Sequence, residues 1–223
     1  VKGETSGVVT GVVFLTPADG SGYEVCAGRS PGCTEVCLNG AGRGVFESVK
    51  TARLNRTLLF FQNPSAYFEQ LISETKRLIR KADRQSMVPA MRLNGTSDLP
   101  WERIPVVING QRLSDNIMSL FPDVQFYDYT KHQNRWNLPA NYDLTFSHSE
   151  KGFAPTIRNL RAGRRVAVVF DTKKGQPLPT TWRGYPVTDG DVTDLRYLDP
   201  TGVVGLRAKG PAKKDESGFV VRI

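Results

Sequence analysis

Apolar positions in this chain recur in two rhythms, and the change between them organises the sequence. Over residues 44–61, Phe46, Val49, Leu54, Leu58 and Phe61 return near the helical period, which predicts a helix. Asn63-Pro64 then supplies a cap with proline at the first helical position, and Phe68, Leu71, Ile72, Leu78 and Ile79 mark one face of a second helix reaching about Asp83. Elsewhere the apolar residues form short runs that close on polar or turn-forming residues: 8–15, 88–93, 124–127, 142–146, 166–170 and 203–206. Such runs predict strands. Helical stretches at 114–121 and 155–162 fit between them, so strand and helix alternate. The expected fold class is therefore α/β, a parallel sheet that curls into a partial (β/α) barrel.

In parallel α/β architectures, ligands gather at the carboxyl ends of the strands. Those ends are where this chain places its chemistry-bearing side chains. Asp98, Lys131, His148 and Arg207 follow four different strand-like runs and are the candidate pocket residues. For any one of them the alternative is ordinary loop polarity; the repetition at successive strand ends is what singles them out. Residues 211–218 are read as a polar, mobile connection to a last short run, 219–223.

Length and composition narrow the class. The 223 residues are read as one domain, 1–223, of ordinary globular composition, 39% hydrophobic and 23% charged. Apolar runs fall well short of the ~20 residues that span a bilayer, so no membrane association is expected. No charged-then-apolar signal pattern opens the chain, Val1 in place of Met is read as the mark of a trimmed chain, and the expected location is cytoplasmic. The net charge of +8 favours a polyanionic partner, nucleic acid before others. Much of the excess is read on residues 50–84, with a second basic group at Arg158, Arg161, Arg164 and Arg165; a solvated helix face is the alternative for the first. Aromatic residues interleave with basic ones at Tyr127, Tyr129, Lys131, His132, Arg135 and Trp136, and again at Trp182, Arg183 and Tyr185. Such surfaces stack bases, or else they are core aromatics beside solvated charges.

All three cysteines fall within twelve residues, Cys26, Cys33 and Cys37, between the first strand-like run and a helix start. A disulfide uses two and strands the third, whereas a metal centre uses three thiolates together and leaves one position open. Cys33 and Cys37 are four apart, one helical turn, and Gly28, Pro31 and Gly32 let the chain return from Cys26. Structural zinc calls for paired Cys motifs or a paired histidine motif, and neither is here, although His132 or His148 would complete a Cys3His site. An iron–sulfur cluster is the other reading, with one iron open to a small-molecule ligand. Three unrelated thiols are the third.

Weaker signals surround the loop. The run Gly40-Ala41-Gly42-Arg43-Gly44 resembles a phosphate cradle before a helix, or lets the backbone pack against a cluster, and Gly42 and Arg43 are the candidate cofactor contacts in either case. Asp189, Asp191 and Asp194 lack the closing acid of a calcium loop and read as turn and capping residues. No Gly-x-Ser-x-Gly motif is present, and Ser147 and His148 are neighbours in sequence, so serine hydrolase chemistry is not expected.

With its cysteine loop after the first strand and its succession of βα units, the chain resembles the radical S-adenosylmethionine superfamily over roughly residues 8–210. Cys33-x3-Cys37-Leu38-Asn39, then Ala41-Gly42-Arg43, the segment from Arg92 through Asn94-Gly95 to Asp98, and the segment from Phe126 through Asp128 to Lys131 look like a small phage-encoded family within that resemblance. The resemblance implies that Cys26, Cys33 and Cys37 hold a 4Fe-4S cluster, that the open iron chelates S-adenosylmethionine, and that Gly95 and Asp98 stand near the cofactor. The spacing departs from the superfamily's Cys-x3-Cys-x2-Cys, being Cys-x6-Cys-x3-Cys, and only Gly95 and Asp98 match its Gly-Gly-Glu segment. The functional expectation is an iron–sulfur protein of viral origin, a radical-type redox enzyme acting on or near nucleic acid. Its rival is a non-enzymatic nucleic-acid-binding protein whose iron–sulfur or zinc centre staples a loop.

Overall fold

The computed structural model describes residues 6–223. The fold is mixed α/β. The main strands are β1 (Val8–Val12), β2 (Val88–Arg92), β5 (Gln125–Thr130), β6 (Tyr142–Ser147), β7 (Arg165–Phe170) and β10 (Gly202–Arg207), joined by the short strands β8 (Thr181–Trp182) and β9 (Tyr185–Asp189). They hydrogen-bond in the order β1-β2-β5-β6-β7-β10-β9-β8. The six main strands thus follow one another in chain order. The β1–β2, β2–β5, β6–β7 and β7–β10 registers are parallel, as is β9–β10, and β8–β9 is an antiparallel hairpin. A second hairpin, β3 (Val106–Ile108) and β4 (Gln111–Ser114), stands apart from this sheet.

Helix α1 (Pro31–Glu35) follows β1, then come α2 (Glu47–Gln62) and α3 (Pro64–Arg84), with α4 (Ile117–Leu120) before β5 and α5 (Ala154–Arg161) before β7. Local chemistry sets their ends. In α3 the Asn63 side chain accepts the Ala66 amide at 3.1 Å, Pro64 occupies the first turn, and Lys81 and Arg84 sit in the last turn, where the helix dipole is negative. Tyr67, Phe68, Leu71, Thr75 and Ala82 are its buried face. The helix expected from residue 44 starts at Glu47, because residues 42–45 form a 3₁₀ turn instead.

The chain divides into two compact units. The first comprises the chain up to Ala27, Glu47–Asp128 and Arg135–Asp143; the second comprises Gly28–Phe46, Tyr129–Asn134 and Leu144–Ile223. Within the first, Leu15, Leu93, Trp101, Val106, Ile117, Met118 and Phe126 are fully buried. Within the second, Phe146, Leu160, Val166, Val168, Phe170 and Val203 form one apolar cluster, against which Ile157, Trp182 and Val221 pack. The last run is tied into this unit: the Val221 amide donates to the Val169 carbonyl at 2.8 Å, its carbonyl accepts the Asp171 amide at 3.1 Å, and Val220 and Ala212 pack with Val36.

The division separates charge. The second unit holds seventeen lysines and arginines against nine aspartates and glutamates, whereas the first holds thirteen of each. The whole excess of +8 therefore lies in the second unit, and the basic residues of α2 and α3 are offset by acids of their own unit.

Candidate functional site

Both units carry polar assemblies at the carboxyl ends of their strands. In the first, the turn after β2 is built on Asn94, whose side-chain oxygen accepts from Ser97 Oγ, the Leu99 amide and Trp101 Nε1 at 2.8–3.0 Å. Gly95 follows because nothing larger fits: a Cβ there would stand 2.6 Å from the Val13 carbonyl oxygen. Asp98 ends the turn and is buried. Its carboxylate pairs with Arg135 at 3.0 Å, and the same guanidinium grips Glu102 at 3.0 and 2.6 Å and donates to Tyr142 Oη at 3.1 Å. Tyr142 in turn donates to Asp128, which also accepts the amides of Leu93 and Asn94. Desolvation pushes the Asp128 carboxyl up to about 7, against the opposing pull of Arg92, the Asn94 amide, Tyr142 and Arg135. Cys26 belongs to this unit; its amide donates to Glu24 at 2.6 Å and its thiol lies 3.6 Å from the Thr96 carbonyl.

In the second unit, Ser30 caps α1 by accepting the Cys33 amide at 3.1 Å. Glu150 closes over the same turn: its carboxylate accepts from Ser30 Oγ at 2.8 Å and from the Gly32 amide at 2.7 Å. A Cβ on Gly32 would strike Ser217 and the Glu150 carboxylate, which explains the glycine. Burial pushes the Cys33 thiol up; Lys131 opposes this, while Cys37 and Glu150 add to it. Lys131, directly after β5, donates to Ser147 Oγ at 2.8 Å and the His148 carbonyl at 3.3 Å, and its ammonium lies 4.9 Å from the centre of the Phe219 ring.

His148 is buried, with Nδ1 and Thr156 Oγ1 sharing a hydrogen bond of 2.8 Å, and its ring stacks on Phe153. Burial first, then Lys131 and Arg183, push it down to about 4, with Glu150 opposing. The ring is therefore neutral at physiological pH, and its stabilising effect is present above the ordinary value near 6.5 and is lost as pH falls towards 4. The His148 ring-proton shift is expected to stay flat from pH 8 to pH 5; a midpoint near 6.5 would refute this placement.

Of the four pocket candidates, the structure brings Lys131 and His148 together. Asp98 belongs to the Arg135 network, and Arg207 is held by Asp189 at 2.9 Å, Asp191 at 3.1 Å and the Gln176 carbonyl at 2.8 Å. Gly42 and Arg43 are exposed in their 3₁₀ turn; Gly42 has φ +56 and open space where a side chain would be. The three cysteines are half-buried and form no disulfide. Among the described residues no group of three or more His, Cys, Asp and Glu side chains is arranged to hold a metal ion, and no helix is long and apolar enough to cross a membrane. Sequence reading missed Glu102, Arg135 and Tyr142 as one network, and missed Ser30 as the residue through which Glu150, a strand-end residue expected near the cysteine loop, clamps the cysteine turn; the Ser30-Pro31 cap-and-proline pair was the available signal for the latter.

These features define a mixed α/β protein with a mostly parallel sheet and a cysteine-bearing segment after its first strand. A family model described as Gene product 88 matches residues 1–223, and the chain belongs to that family of phage proteins. No curated protein and no solved structure matches it.

Proposed function

We propose that the protein is an iron–sulfur protein acting on or beside nucleic acid, with Cys26, Cys33 and Cys37 as the thiolate ligands. One observation carries the reading: all three cysteines of the chain are half-buried, outside any disulfide and within twelve residues, on the segment after the first of six strands that follow one another in chain order. The donor set fits a cluster, whose usual ligands are thiolates, whereas zinc would take His132 or His148 as a fourth ligand to close a Cys3His site. The thiols do not form a ready-made ligand group, so metal binding organises the turn, as it does wherever ligation and local folding are coupled. When bound, a cluster with an open iron supplies an electron and a coordination position for a small ligand such as S-adenosylmethionine.

The chain's own residues have separate tasks in this reading. Glu150 and Ser30 fix the turn that carries Cys33, and Lys131 sets a positive charge against the thiolates that metal binding would create. The strongly basic second unit supports a nucleic-acid partner. It equally supports the rival in which the metal only staples the turn and nothing is catalysed.

Anaerobic purification followed by iron, sulfide and zinc analysis is the test. A brown protein containing iron and sulfide, whose colour is lost in Cys33→Ser and Cys37→Ser, is expected; a sample free of both iron and zinc rejects the metal centre. Reduced cluster spectra that change on adding S-adenosylmethionine support the enzyme, and spectra that do not change leave the staple.

A further inference from the structure

The hairpin between β8 and β9 carries a cationic–aromatic stack that packs on His148 from its outer side, with Arg183 and Phe153 exposed and Trp182 half-buried. Trp182 pairs with Tyr185 across a two-residue turn, Arg183-Gly184, whose φ values are +53 and +79. Positive φ at both positions marks the type I′ hairpin turn, where asparagine or glycine is the ordinary first residue. An arginine there is strained, and backbone strain of this kind persists where the side chain is needed. The Arg183 guanidinium lies 3.8 Å from the centre of the Phe153 ring and 5.8 Å from that of Trp182. Arg183 is exposed, Phe153 is 42% exposed, and no carboxylate pairs with this guanidinium among the described residues. Phe153 precedes α5, which presents the exposed Arg158 and Arg161.

We propose that Arg183, laid flat on the Phe153 ring beside Trp182, presents a base-stacking platform for single-stranded nucleic acid, flanked by the α5 arginines as phosphate contacts. The inference rests on the nucleic-acid part of the proposed function and is independent of the metal. Flat guanidinium and aromatic faces accept unpaired bases of any sequence, and bases inside a duplex do not offer theirs. Charge complementarity points to the same partner, since this unit holds the chain's entire positive excess.

Fluorescence anisotropy with labelled oligothymidine, an oligouridine and a duplex of equal length tests the platform. The protein is expected to bind a single strand more tightly than the duplex, with affinity falling as salt rises. Arg183→Gly and Phe153→Ala are each expected to weaken single-strand binding about tenfold. Arg183→Gly suits the backbone, so its thermal midpoint should be unchanged or higher, which separates lost stacking from lost folding. Lys76→Gln with Arg77→Gln, on α3 of the neutral unit, should leave affinity unchanged. Preference for oligouridine alone keeps the platform and makes RNA its ligand. No binding by the native protein to any probe rejects the nucleic-acid reading itself. Binding that ignores both platform substitutions, or that is as tight for duplex, rejects the platform and leaves that reading standing.

Discussion

Replacing Arg135 by alanine is expected to destabilise the first unit by about 3–5 kcal/mol, the cost of stranding buried charge. The side chains of Arg135 and Glu102 are each 3% exposed and that of Asp98 is 10% exposed, so water cannot take over the pairing. Truncation would leave two carboxylates buried without their common cation and remove a donor from Tyr142. Arg135→Lys keeps the charge and loses the fork that grips Glu102 through two nitrogens, so an intermediate loss is expected. The triple change Arg135→Met, Glu102→Gln, Asp98→Asn should recover much of the stability, because it removes the anions together with the cation. Urea unfolding followed by tryptophan fluorescence measures all three. A loss below about 1 kcal/mol for Arg135→Ala would mean that the network is solvated and carries little of the fold.

This network shows where sequence reading reaches its limit. Short apolar runs located β1, β2, β5, β6, β7 and β10: β7 and β10 are near-continuous in apolar residues, as strands buried within a parallel sheet are, while β5 and β6 mix apolar and polar positions, and each of these patterns is local. Helix α3 was legible through its cap, its proline and its spaced apolar face. The two hairpins were not, since β3 and β8 have only three and two residues; the Asn109-Gly110 turn, with φ +50 and +80, was the readable sign of the first. Asp98 was singled out as a pocket residue from its place after a strand, and as a cofactor contact from the resemblance alone, yet its partner Arg135 lies 37 residues further on, in a stretch that reads only as mixed aromatic and basic. Nothing local announces that pairing. Charge failed in the same way: the basic residues of α2 and α3 look like an excess along the chain, and only the discontinuous division into units reveals the acids that cancel them.

Asp128 gives the second large effect, and its sign is unusual for a carboxylate. Its folded value, pushed up to about 7 by burial, lies above the ordinary value of 3.8, so between these limits the folded state holds a proton that the unfolded state has released. Stability therefore falls as pH rises from about 4 to about 7 and is level above that, by at most about 4 kcal/mol over the full window. His148 in the other unit acts in the opposite direction over an overlapping range, because its folded value lies below its ordinary one. Whole-chain unfolding would mix the two, and a flat profile would hide both. Hydrogen exchange at the Leu93 and Asn94 amides, which donate to Asp128 at 3.3 and 2.8 Å, isolates the first. After correction for intrinsic base catalysis, protection at these amides should decline towards pH 7 in the native protein and stay constant in Asp128→Asn, where no proton is taken up. The same decline in both proteins would place the titrating group elsewhere. Constant protection in the native protein would show that Arg92, Arg135, Tyr142 and the two amides outweigh desolvation, leaving an ionised carboxylate at the end of β5 at every pH in the range.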